Sequence, residues 1–166
     1  KKPKKSLGQN FLIDQNITSK IISIGNIERN KTVLEIGPGY GNLTRKIVNK
    51  KPNKILAIEK DKKLSSFLKE SFKNFSKIKI INDDIFNIIE NKNLGQNIIV
   101  FGNLPYNIST QLLASLILLK KWPPWYEILV FMFQKEVADR ILAKENSSEF
   151  GRLSILCNWR LEIKKH

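Results

Sequence analysis

Cysteine and histidine are almost missing from this 166-residue sequence, which holds one of each, Cys157 and His166. A single thiol excludes an internal disulfide framework, and the pair is too few for a Cys/His metal site, so no metal is expected. With its one histidine at the last position, the chain also offers no Ser/His or Cys/His nucleophilic pair. The scarcity of cysteine reads as a cytoplasmic location. Long apolar runs are missing too. The longest, "LLASLILL" (112–119), is far short of the roughly 18 residues a membrane span needs, so no membrane association is expected. The lysines at the start are not followed by an apolar segment, which argues against a secretory signal, and the lack of an initiator Met reads as a trimmed start. Acids are scarce as well: 15 against 29 Lys and Arg, a net charge of +14. Such an excess fits a polyanionic partner, nucleic acid first, although an anionic surface or a lysine-rich bias shares the same signature.

Hydrophobic residues make up 42% of the chain, enough for one globular domain with a real core. Residues 1–5, "KKPKK", read as a solvated tail. Ile17, Ile21 and Ile24 fall on one helical face, with Asp14 as N-cap and Gly25 as stop. "TVLEI" (32–36), "KILAIE" (54–59), "IKIIND" (78–83), "NIIVFG" (97–102) and "YEILVFMF" (126–133) read as buried strands. Between them lie helical patterns: from Asn42 with Leu43, Ile47 and Val48; from Asp61 to Phe72 with Leu64, Phe67 and Leu68; and from a Ser109 cap to Leu119. "KEVADRILA" (135–143) is helical, and "GRLSILCNWRL" fits either state. Strands alternating with amphipathic helices predict an α/β, Rossmann-like, doubly wound and mostly parallel sheet.

Between the first strand and its helix stands "EIGPGYG" (35–41). Glycines there let a backbone approach a ligand and leave helix N–H groups available. Glu59 ends the second strand, where a carboxylate can accept both ribose hydroxyls. Asp84 follows the third, where one can accept from an adenine amino group. A nicotinamide dinucleotide favours G-x-G-x-x-G, but Gly37, Gly39 and Gly41 follow G-x-G-x-G. Glu35, two residues before the first glycine, would repel a pyrophosphate and suit an ammonium or sulfonium group. S-adenosylmethionine, which has both and no phosphate, is the cofactor this turn fits better.

The fourth strand ends at "GNLPY". Methylating an exocyclic amine is hard because its lone pair is delocalised into the ring. Two acceptors that hold its N–H bonds out of conjugation relieve that difficulty. The Asn103 side-chain oxygen and a backbone carbonyl, in a turn stiffened by Pro105, can supply them. Tyr106 offers a π-face for an extruded base, worth roughly 1–3 kcal/mol, and for a sulfonium. Positioning does most of the work in such chemistry.

In this order, "LGQNFL" (7–12), "EIGPGYGNLT" (35–44), "IEKD" (58–61), "DD" (83–84), "FGNLPYNIST" (101–110), "QKEVADRI" (134–141) and "FGRLSI" (150–155) resemble the KsgA-type ribosomal RNA small-subunit adenine dimethyltransferases. The resemblance runs through nearly the whole chain. It implies a class I methyltransferase that dimethylates N6 of two adjacent adenines near the 3′ end of 16S rRNA, on a small-subunit precursor. S-adenosylmethionine would be the donor and S-adenosylhomocysteine the product. Carried over by motif, Asn10 and Leu12 would line the cofactor site. Gly37, Glu59 and Asp84 would meet the methionine, ribose and adenine parts. Asn103 would touch cofactor and target amine, the Leu104 carbonyl would be the second acceptor, and Tyr106 the stacking face. The expected organisation is a monomeric catalytic domain over 1–166 with a basic arm of about 1–13, mobile without cofactor. The family continues into further strands, a second aromatic for the base and a helical C-terminal domain, so the chain reads as truncated. An enzyme acting on 23S rRNA, a non-catalytic RNA-binding assembly factor and a nicotinamide oxidoreductase are the other readings.

Overall fold

The computed structural model describes residues 15–90 and 94–166. Its frame is a five-stranded sheet, β1 (Thr32–Ile36), β2 (Lys54–Glu59), β3 (Ile78–Asn82), β4 (Ile98–Gly102) and β5 (Tyr126–Phe131), in the order β3-β2-β1-β4-β5. All pairings are parallel. The chain builds outward from β1 to β3, then returns to β4 on the other side of β1. That reversal between β1 and β4 is the point where an open parallel sheet leaves a crevice at its carboxyl edge.

The central strands are apolar on both faces because both are covered. Val33, Ile55, Ile99 and Phe101 face one layer with α1 (Gln15–Ile24) and α2 (Asn42–Asn49). Leu34, Ile36, Leu56, Ile58, Ile98 and Val100 face the other. That second layer holds α4 (Ile85–Ile89) and α5 (Tyr106–Ile117). The helix α3 (Lys62–Ser71) follows β2, while α6 (Lys135–Leu142) and α7 (Arg152–Arg160) pack on α5 around buried Cys157. The strand expectations hold to within two residues, and "GRLSILCNWRL" is helical.

Three expectations change. On α1 the buried residues are Thr18, Ile21 and Ile22, while Ile17 is half exposed. The helix turns that face to the sheet because the Phe101 ring lies against Gly25, where an added Cβ would come within 2.3 Å of Phe101 Cζ. Gly25 therefore serves close approach. On α3, Phe67 faces solvent while Ser65, Leu68 and Phe72 are buried. Finally, Ser109 does not cap α5. The helix starts three residues earlier, behind Pro105, whose carbonyl accepts from Ile108 and Ser109 at 3.1 and 3.0 Å. Proline ahead of a first turn loses no helical hydrogen bond, and its φ of −54° already suits the entry. The short α4 was not legible as a helix: one turn of "IFNII" carries no period.

Candidate active site

The crevice is built by register. Ile36 pairs with Gly102 across β1 and β4, and with Ile58 across β1 and β2. Gly37 and Asn103, each the next residue, therefore leave neighbouring strands about 4.8 Å apart. The first glycine and the head of "NLPY" are thus brought together although 66 positions separate them.

Gly37 has φ +65°, and its N–H donates to the Ile58 carbonyl at 2.9 Å. A Cβ there would stand 2.8 Å from Leu104 Cδ2. The Leu104 side chain packs on the core below and touches the glycine turn, so the two turns are interlocked. Gly37→Ala is expected to lose about 1–2 kcal/mol from the left-handed φ, and to displace Leu104. Urea unfolding and cofactor titration should show both losses together; unchanged cofactor affinity would mean that the turns move independently. Gly41, at φ +78°, precedes α2 and lies against Phe72 and Leu68, again with no room for a side chain.

The buried carboxylate of Glu59 accepts from the Gly39 N–H at 3.1 Å through Oε2 and from the Asp61 N–H at 2.8 Å through Oε1. Asn82, at the end of β3, donates to the carbonyls of Glu59 and Lys60 and fixes that corner. Glu35 is shut off from solvent on β1, and the Thr44 hydroxyl donates to its Oε2 at 2.7 Å. Its place is under the turn rather than in open crevice. Burial pushes its pKa up to about 7, against the Thr44 hydrogen bond and with help from the Glu59 charge. Below the ordinary carboxylate value Glu35 is neutral folded and unfolded; above about 7 the folded state carries a buried charge. Its contribution to stability therefore falls as pH rises from about 4.5 to about 7, by up to about 3 kcal/mol. Glu35→Gln keeps an acceptor for Thr44 and should remove that slope, as measured by urea unfolding at both ends of the window. The same slope in the variant would show that other groups cause it.

Asp84 caps α4 by accepting from the Phe86 N–H at 3.1 Å, and its other oxygen meets Lys60 Nζ at 2.8 Å. The Lys60 ammonium holds this carboxyl below its usual range, with the Phe86 N–H adding to the effect and burial opposing it. Its neighbour Asp83 accepts instead from the Asp84 N–H and from Asn87. The half-buried Asn103 begins the turn after β4. Helical bonding starts at the Pro105 carbonyl, so the Leu104 carbonyl stands ahead of the ladder. Asn10, Leu12, the mobility expected of the arm and the Tyr106 side chain lie outside the described residues. Sequence reasoning missed Thr44, Asn82 and the Leu104 side chain. Thr44 alone left a signal, one helical turn after Gly41 on the apolar face of α2.

A family model described as ribosomal RNA adenine dimethylase matches residues 1–165. The chain belongs to this family. Among curated relatives, the ribosomal RNA small subunit methyltransferase A of Pelagibacter ubique is 56% identical over 164 residues, 99% of this chain and 62% of that protein. Its namesake in Nitrobacter winogradskyi is 44% identical over 97% of this chain and 57% of that protein. The chain thus spans about three fifths of the length of these relatives. A crystal structure of a dimethyladenosine transferase from Plasmodium falciparum superposes with a TM-score of 0.74 at 31% identity, covering 87% of this chain and 50% of that one. The 23S rRNA methyltransferase ErmE, at 24% identity and a TM-score of 0.69, shares the fold over 79% of this chain and 50% of its own. The expected α/β methyltransferase fold and the family resemblance are both borne out.

Proposed function

We propose that the chain is the catalytic domain of an S-adenosylmethionine-dependent enzyme that dimethylates N6 of two adjacent adenines near the 3′ end of 16S rRNA. The observation carrying this reading is the pairing of the glycine turn with "NLPY" at the switch between β1 and β4. The carboxylates of Glu59 and Asp84 at neighbouring strand ends fit a cofactor with hydroxyls, an amino group and positive charge, and oppose a pyrophosphate. S-adenosylmethionine supplies a methyl group already activated by a positive sulfur. Gly37 and Gly39 would hold its methionine part, Glu59 its ribose and Asp84 its adenine, with Asn10 and Leu12 lining the same site. Asn103 Oδ1 and the Leu104 carbonyl would accept the two hydrogens of the target amine and return its lone pair to nitrogen. Pro105 fixes that turn, and Tyr106 would stack the base.

The names of the small-subunit relatives support 16S rather than 23S rRNA as substrate, and a ribosomal substrate supports a cytoplasmic location. One chain carries both turns, so a monomer suffices. Among the described residues no helix is long and apolar enough to cross a membrane. Incubation with methyl-labelled S-adenosylmethionine and immature small subunits should place label in dimethyladenine of 16S rRNA. Label in large-subunit RNA would redirect the reading to 23S rRNA, and no label in either would overturn it.

A further inference from the structure

Tyr40 and Phe67 are large, exposed rings that neither the cofactor site nor the target turn uses. Tyr40 is 50% exposed and Phe67 43%, their centroids lie 5.5 Å apart, and the planes meet at 77°. Phe67 stands on the outer face of α3, away from the buried Leu68 and Phe72. Tyr40 directly follows Gly39, whose N–H binds Glu59, so the ring pair borders the cofactor turn. On the other side of the same turn, Leu104 of "NLPY" touches Gly37.

The rim of this pair is cationic. Arg45 donates one N–H to the Tyr40 carbonyl at 2.9 Å, which leaves further guanidinium donors for a ligand. Lys63 lies four residues before Phe67, on the same side of the helix and exposed. The nearby acids are engaged. Asp61 accepts from the Lys63 and Leu64 N–H groups, and Glu70 is paired with Lys73. Exposed rings flanked by cations with donors to spare form the usual platform for single-stranded nucleic acid, with bases on the rings and phosphates on the cations. The net charge of +14 favours the same partner.

We propose that Tyr40 and Phe67, with Arg45 and Lys63, form a second RNA contact that stacks a single-stranded base outside the target pocket. This rests on the reading that the substrate is RNA. The platform holds the strand on the far side of the glycine turn while one adenine is turned into "NLPY".

Binding of a fluorescent single-stranded RNA of about 12 nucleotides, measured by anisotropy without methyl donor, tests it. Phe67→Ala and Tyr40→Ala should each weaken binding about tenfold, and Tyr40→Phe should stay within twofold of the parent. Lys63→Ala should lower the slope of log affinity against log salt by about 0.7. Because the Phe67 ring meets the glycine turn at Tyr40, melting temperature and S-adenosylmethionine affinity are measured on Phe67→Ala in parallel, and a loss of RNA binding that exceeds any loss of cofactor binding marks the platform. Parent-like RNA affinity in both alanine variants would overturn the platform. So would loss of binding to polyglutamate with RNA binding intact, which would mark an acidic protein partner. Because no methyl transfer is read, the platform can stand even where small-subunit RNA is not labelled, and fail where it is.

Discussion

Replacing Asn103 with alanine is expected to slow methyl transfer about 10²–10³-fold while S-adenosylmethionine affinity changes less than tenfold. The alanine removes the side-chain acceptor from the turn but leaves the backbone, because Pro105 fixes φ at −54° and the Leu104 side chain still locks against Gly37. The loss should therefore appear in the chemical step. Single-turnover transfer to immature small subunits, with calorimetry for the cofactor, separates the two. Asn103→Asp keeps an oxygen acceptor and should retain more activity than the alanine variant. Transfer within threefold of the parent in Asn103→Ala would remove the side chain from the mechanism and favour an assembly factor that uses the fold without its chemistry.

Glu59→Gln is expected to be nearly as harmful as Glu59→Ala, which is unusual for so small a change. Both oxygens of the buried carboxylate accept from backbone N–H groups, Oε2 from Gly39 and Oε1 from Asp61. A glutamine must turn its NH₂ toward one of those donors and leave it unsatisfied, at about 1–3 kcal/mol. The displaced Gly39 would then open the turn. Stability should fall by about 2 kcal/mol in either variant, and cofactor affinity by about 100-fold if Glu59 holds the ribose as proposed. Urea unfolding and calorimetry measure the two effects. A glutamine variant that binds S-adenosylmethionine like the parent would mean that Glu59 serves the turn and not the ligand.

Much of this site could be read from local chemistry. A glycine turn after a buried strand, a carboxylate at the end of the next and an Asn-Pro turn after the fourth are each strand-end signals, and strands apolar on both faces are hard to mistake. The helix faces were less legible. Ile17 and Phe67 fit an apolar stripe as well as their buried neighbours do, and periodicity cannot tell which side of a stripe meets the sheet. That choice fell to particular contacts, such as Phe101 against Gly25. Ser109 was misread as a cap because a serine before an apolar run is a good start signal, but Pro105 offers an equally good entry earlier.

By itself, the sequence determined the class of fold and the chemistry available at the strand ends, and its single cysteine leaves these 166 residues no internal disulfide. These depend on residue type and short spacing, which the chain carries locally. Only the tertiary structure decided which of those residues meet. The order β3-β2-β1-β4-β5 sets "NLPY" beside Gly37. Burial turned Glu35 into a support paired with Thr44, and packing of the first two strand ends gave Glu59 the Gly39 N–H as a second donor beside its near neighbour Asp61. Tyr40 met Phe67 across 27 positions in the same way. Each depends on strand pairing and packing between separate segments, which local spacing alone does not encode.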